Sequence, residues 1–365
     1  MKFQCRSLFS LSALAIAAFA FSMPASARVG GPGHVYTMNN AATGNQVLVF
    51  QRGAQGSLTL AQTVDTHGNG NGAGLGSQGA VTLSQDGEWL FVVNAGSGTL
   101  STLHVGDDGL SLASTVATGG TTPISVTEHG GVVYVLNAGV GGNIAGFRND
   151  GGTLTALADG VRHLSETATD VGPAEVLFDK FGATVVVTEK ITSRLTTYSA
   201  HADGTLSQPF VSVSAGTTPF GFVFDVSNHL LVSEAATSSL SSYKFGGSPA
   251  VVPKVISAAV PTGQLAACWA AVTPDGRFAF TANAASASLS TYKVARNGAL
   301  SLSSTAPEAT GAHPLDIAIS DTGKRLFVLN TGNGTIGGFA IGQAGELSSL
   351  SATSVPTTAA GLAID

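Results

Sequence analysis

The stretch SQDGEWLFVVNAGSGTLSTLHV, from Ser84 to Val105, returns in the same order of parts as TPDGRFAFTANAASASLSTYKV, from Thr273 to Val294. A turn, an apolar run, an Asn, a small polar loop and a second apolar run follow one another in both. Sliding that frame along the chain finds anchors at Asn39, Asn94, Asn137, Glu189, Glu234, Asn283 and Asn330, spaced 43 to 55 residues apart. The residue 11 positions past each anchor closes the second apolar run: Phe50, Val105, Arg148, Ala200, Phe245, Val294 and Ile341. A fixed internal spacing with all length variation elsewhere marks seven copies of one supersecondary unit. Such units must stack, because one copy cannot bury its apolar face alone.

Each unit reads as four short strands. In the sixth, WAAVT leads through a PDG turn to FAFTA, a loop NAASAS leads to LSTYKV, and RNGA turns into LSLSSTA. Asp, Asn and Gly tolerate the backbone angles of tight turns, and the chain carries 47 glycines, enough for many of them. The runs between are β-branched, aromatic and small, and no amphipathic helix interrupts them. Four strands, seven units and this period predict an all-β fold, a seven-bladed β-propeller of four-stranded blades. HVYTMN (34–39) corresponds to a second strand with no first strand before it. AAGLAID (359–365) resembles the first strands PLDIAIS and WAAVTPD. The C-terminal strand is therefore expected to join the N-terminal blade and close the ring, with residues 28–365 forming one domain.

Residues 1–27 have the layout of a signal peptide: Lys2 and Arg6, the apolar run 8–21, then a small-residue cleavage site at 25–27. The expected location is periplasmic or extracellular. Removing the leader takes away two cations and no acid, moving the formal charge from −6 to −8. An acidic chain without basic runs predicts no nucleic-acid partner. No second apolar run approaches a membrane span, so no membrane insertion is expected. Cys268 alone remains after cleavage, so no intrachain disulfide can form. A monomer is expected.

In a propeller the strand-end anchors and the starts of the inner strands share one rim. Asn at a strand end ordinarily bonds the following turn. Glu189 and Glu234 depart from that pattern and become candidates. Inner-strand starts add Glu175, Cys268, Trp269, His313 and Asp316, and Lys190 and Arg194 are cations near Glu189. Hydrolysis of an ester needs a base for water and a cation or donor for the oxyanion. Glu175, Glu189 or Glu234 would be the base; Lys190, Arg194 or His313 would stabilise the oxyanion. Cys268 reads more simply as a small buried residue, and Trp269 as core or channel wall. The Gly-rich HGNGNGAGLGSQG (67–79) has no phosphate-binding frame and opens no helix; it reads as a long loop on the same rim, a lid. No CxxC, HExxH or GxSxG occurs. No cofactor is implied, and a divalent metal on Asn and Glu oxygens has no EF-hand-like loop to hold it.

The two quoted repeats, with SDTGKRLFVLNTGNGTIGGFAI (320–341), resemble the lactonase-type seven-bladed propellers, the family that includes 6-phosphogluconolactonase and carboxymuconate cyclase. The resemblance covers nearly all of the chain after the leader. It implies the propeller and lactone hydrolysis or its reverse, lactonisation, and it contributes none of the candidate residues above. Three functions are thus open: an exported lactonase acting on a small lactone or ester, a non-catalytic secreted propeller binding a protein or glycan through its rim, and a lyase or cyclase.

Overall fold

The structure, a computed structural model, describes residues 33–53, 55–246, 251–303 and 308–365. The leader expected at 1–27 lies outside the described residues. Among them every regular element is a strand, and the strands form seven antiparallel sheets. Blade 1 pairs Ala360–Ile364, His34–Met38, Gln46–Arg52 and Leu58–Asp65 in that order; blade 4 pairs Pro173–Phe178, Thr184–Glu189, Arg194–Ser199 and Phe210–Val213. Six of the sheets have four strands. In blade 6, Leu300–Leu302 and Glu308–Ala309 both pair with the third strand. The inner strands, which begin at Val81, Pro123, Pro173, Pro219, Ala267, Pro314 and Ala360, touch one another in blade order and the last touches the first. That cycle is the propeller ring.

Position in the blade explains the composition of each strand. Second strands such as Trp89–Asn94 and Thr184–Glu189 lie sandwiched between neighbouring blades and are buried nearly throughout. They therefore carry unbroken apolar runs, LFVV and VVV, rather than an alternation. Outer strands such as Leu58–Asp65 are mostly exposed and carry polar residues. The expected hairpins form: Gly276 turns at φ +71, its N–H bonds Thr273 O at 2.8 Å, and the Asp275 carboxylate accepts the Arg277 N–H at 3.0 Å. An apolar cluster fills each seam between blades. The cluster between blades 7 and 1 holds Val35, Phe50, Phe327, Leu329, Ile336 and Leu362.

The closure is as expected. Val35 pairs with Ile364, Tyr36 with Ala363 and Met38 with Ala360, antiparallel. Asp365 then fastens the end: its carboxylate accepts the Tyr36 hydroxyl at 2.8 Å and lies 3.2 Å from His34 Nδ1, while its carbonyl accepts Arg52 Nη2 at 2.6 Å.

Candidate functional site

Inner strands are sheet edges, so some of their N–H groups have no partner within the blade. Three blades solve this with a side chain at one register position. Ser125 Oγ of blade 3 accepts Val176 N–H of blade 4 at 3.2 Å. Glu175 Oε2 of blade 4 accepts Phe222 N–H of blade 5 at 2.6 Å, and Asp316 Oδ2 of blade 7 accepts Leu362 N–H of blade 1 at 3.1 Å. Blade 5 has Gly221 at that position and no acceptor to offer. Gln78 reaches in from blade 2 instead. Its Oε1 accepts Ala270 N–H at 3.2 Å and its Nε2 donates to Ala270 O at 2.9 Å. A Cβ on Gly221 would stand 2.1 Å from Gln78 Oε1, so the glycine makes room for the crossing.

The end of the Gly-rich segment is thus fixed. Lys190 Nζ donates to Gly76 O at 2.7 Å, Ser77 Oγ to Ile124 O at 2.7 Å, and Gln78 N–H to Ala174 O at 3.2 Å. It lies where the inner strands begin. The channel below it contains a chamber of about 230 Å³ lined by Gln78, Glu175, Asp316 and Leu362 among others. A second cavity of about 440 Å³ continues it toward the hairpin face, sharing Thr82, Leu83, Leu177, Ile317 and Ile319. The two cavities therefore follow the channel from the inner-strand starts toward the hairpins.

Glu175 and Asp316 come from blades 4 and 7, face the same chamber and are both buried, 4% and 2% exposed. Burial pushes the Asp316 carboxyl up to about 7, opposed by N–H donors from Gly79, Ile317 and Leu362. Burial raises Glu175 well above the carboxylate range; the Phe222 N–H opposes this and the Asp316 charge adds to it. Asp316 is thus the first to lose its proton, and its charge helps Glu175 keep its own.

The other candidates sit elsewhere. Glu189 is fully buried at the end of its strand, accepting from Ser165 N–H at 2.9 Å, Thr196 Oγ1 at 2.6 Å, Thr192 Oγ1 at 2.8 Å and the Ser165 hydroxyl. Glu234 likewise accepts from Gly216 N–H and the hydroxyls of Ser214, Ser239 and Ser241 at 2.7–3.0 Å. Asn94 occupies the same place in blade 2, donating to Thr99 and Ser101 and accepting from Thr66. Hydroxyls serve equally as donors and acceptors, so Glu replaces Asn when its neighbours all donate. Neither Glu lines either cavity. Arg194 pairs with Glu166 at 2.7 Å. His313 is exposed, in the same left-handed turn (φ +50) that Thr122 and Thr218 make before their inner strands. Lys190 lies 4.7 Å from the Phe220 ring centroid, and burial lowers its ammonium to about 8 against the pull of Asp170 and Cys268. Cys268 is buried and pushed up to about 11 by burial, and the buried Trp269 donates from its indole to Pro314 O at 3.0 Å. Lys190, Arg194 and His313 line neither cavity, and the structure does not bring them to Glu175. Among the described residues no cluster of three or more His, Cys, Asp or Glu could hold a metal.

Fold and channel together define a seven-bladed propeller with an acid-lined axis. Its place among such propellers follows from comparison with known proteins. The family model for the lactonase seven-bladed β-propellers matches residues 32–138 and 253–360, and the chain belongs to that family. Among solved structures, the periplasmic gluconolactonase PpgL of Pseudomonas aeruginosa is 20% identical with a TM-score of 0.72, covering 91% of this chain and 98% of that one. A candidate 6-phosphogluconolactonase from Bacteroides fragilis is 18% identical at TM-score 0.72, covering 92% and 98%. A Lactobacillus plantarum protein is 16% identical at 0.72, covering 91% and 99%. At these identities the likeness is one of fold. No curated protein matches the chain.

Proposed function

We propose that this protein hydrolyses a small lactone or ester inside its central channel, with Asp316 as general base and Glu175 as general acid. One observation carries the reading: two buried carboxyls from blades 4 and 7 face one chamber, where burial raises both and the Asp316 charge adds to the rise at Glu175. Pairs of titratable groups pushed apart in this way suit acid–base work near neutral pH. Membership of the lactonase family supports the reaction class, and the gluconolactonase of P. aeruginosa is a neighbour in fold.

In the proposed reaction the Asp316 carboxylate takes a proton from water as its oxygen bonds the lactone carbonyl carbon. Glu175 gives its proton to the ring oxygen as the bond from that oxygen to the carbon breaks. The product is a hydroxy acid, and solvent returns the two carboxyls to their starting states. Both N–H donors on Asp316 Oδ2 orient the base.

A panel of lactones assayed with purified protein tests this. E175Q keeps an acceptor for the Phe222 N–H, and D316N keeps one for the Gly79 and Leu362 N–H groups while losing the one that faces Ile317 N–H; neither can transfer the proton. Each should lower kcat by about 100-fold or more. Wild-type activity should rise with pH through about 7, as Asp316 ionises. Retention of full activity by both variants would remove the channel from consideration. The reading of 1–27 as a leader makes the enzyme an exported one; cell fractionation with N-terminal sequencing checks this, and an intact Met1 on cytosolic protein would refute it.

A further inference from the structure

We propose that the ligand of this channel carries an apolar substituent, selected by the wall that blades 5, 6 and 7 present at the hairpin end. The inference rests on the channel reading above and extends it to substrate class. At the opposite end Gln78 crosses from blade 2 to blade 6, so a ligand held between Glu175 and Asp316 extends toward the hairpins. There it enters the cavity of about 440 Å³. Every residue that blades 5–7 contribute to that cavity is apolar, and Val223, Phe224, Val272 and Ile319 are half-buried, leaving surface for contact.

The polar lining comes from blades 2–4 and, the Lys180 ammonium apart, is largely engaged already. Glu128 accepts the N–H groups of Gln85 and Gly131 at 2.9 and 2.6 Å, and the Gln85 amide nitrogen lies 2.8 Å from His129 Nδ1. Asp179 accepts from Ala183 N–H at 2.7 Å and Asn228 Nδ2 at 3.0 Å. A polyol lactone would leave hydroxyls unpaired against blades 5–7, which costs binding energy. An alkyl chain there gains about 0.8 kcal/mol per buried methylene, about fourfold in affinity.

The experiment compares γ-butyrolactone, γ-hexalactone, γ-decalactone and D-glucono-δ-lactone on the wild-type protein, and calorimetric binding of the same four to D316N. Each added methylene should raise kcat/KM, and affinity for D316N, up to about fourfold until the cavity is filled. Glucono-δ-lactone should be the poorest. The double variant V223T/V272T, nearly isosteric but polar, should flatten the dependence on chain length. Activity that depends on Asp316 and Glu175 but not on chain length would overturn this inference and leave the acid–base reading standing. Turnover of none of the four would count against the acid–base reading alone; the binding series then decides the inference, with equal or absent binding overturning it. A chain-length dependence unmoved by V223T/V272T would also overturn it.

Discussion

Ser125, Glu175 and Asp316 perform one structural task, accepting an N–H from the next inner strand, yet a hydroxyl does it at far lower cost than a carboxyl. The two carboxyls therefore leave a signature in stability. Asp316 titrates at about 7 in the fold against 3.8 when free, so the folded state binds more protons between those values. Its contribution is whole below about pH 4, declines as pH rises and is gone above about 7. The change is on the order of 4 kcal/mol. Urea unfolding of wild type and D316N across this range should diverge accordingly; a difference independent of pH would contradict the burial argument. Glu189 and Glu234 carry a different expectation. E234A leaves five buried donors, from Ser214, Gly216, Ser239, Ser241 and Tyr243, facing a void and should cost about 3–5 kcal/mol, measured by chemical denaturation. A hint of this role lay in the sequence: hydroxyls stand five and seven residues after Asn94, Glu234 and Asn283 alike.

At the scale of elements, the 67–79 segment illustrates what a motif search cannot find. Its glycines suggest a flexible lid, but its function in the fold depends on Gln78 meeting Ala270, a contact 192 residues apart. No spacing rule reaches that far, because the two residues meet across the ring rather than within a unit. The pairing with Gly221 makes a prediction. Q78A leaves Ala270 N–H buried without an acceptor and should cost about 1–3 kcal/mol. G221A alone should destabilise by collision with Gln78. In the Q78A background the same change should cost less, since the next nearest atoms, Cys268 O and Trp269 Cα, stand at 3.0 and 3.1 Å. A double-mutant cycle with strictly additive losses would rule out the crossing contact.

For the whole molecule, stability hangs on closure. The strand Ala360–Ile364 is the inner strand of blade 1 and also packs beside those of blades 2 and 7. Deleting residues 359–365 exposes the edge of His34–Met38 and opens the apolar seam that includes Phe327 and Leu362. Because the blades support one another around the ring, the deletion should lower the melting temperature of the whole protein and not merely fray one sheet. Scanning calorimetry reads this directly; an unchanged Tm would mean that the blades are stable without the closing strand.

The sequence alone determined the number of blades, the strand order and the closing strand. Each depends on local patterning, on turn residues and on a period that survives in the chain itself. It also carried Glu175 and Asp316 as inner-strand residues. Only the tertiary structure decided which candidates share a chamber. Whether a carboxylate faces a neighbour's hydroxyls or a channel depends on which strand lies across from it, and seven-fold wrapping puts residues far apart in the chain face to face. Glu189 and Glu234 thus went to strand-end networks, while Glu175 met Asp316 across the axis.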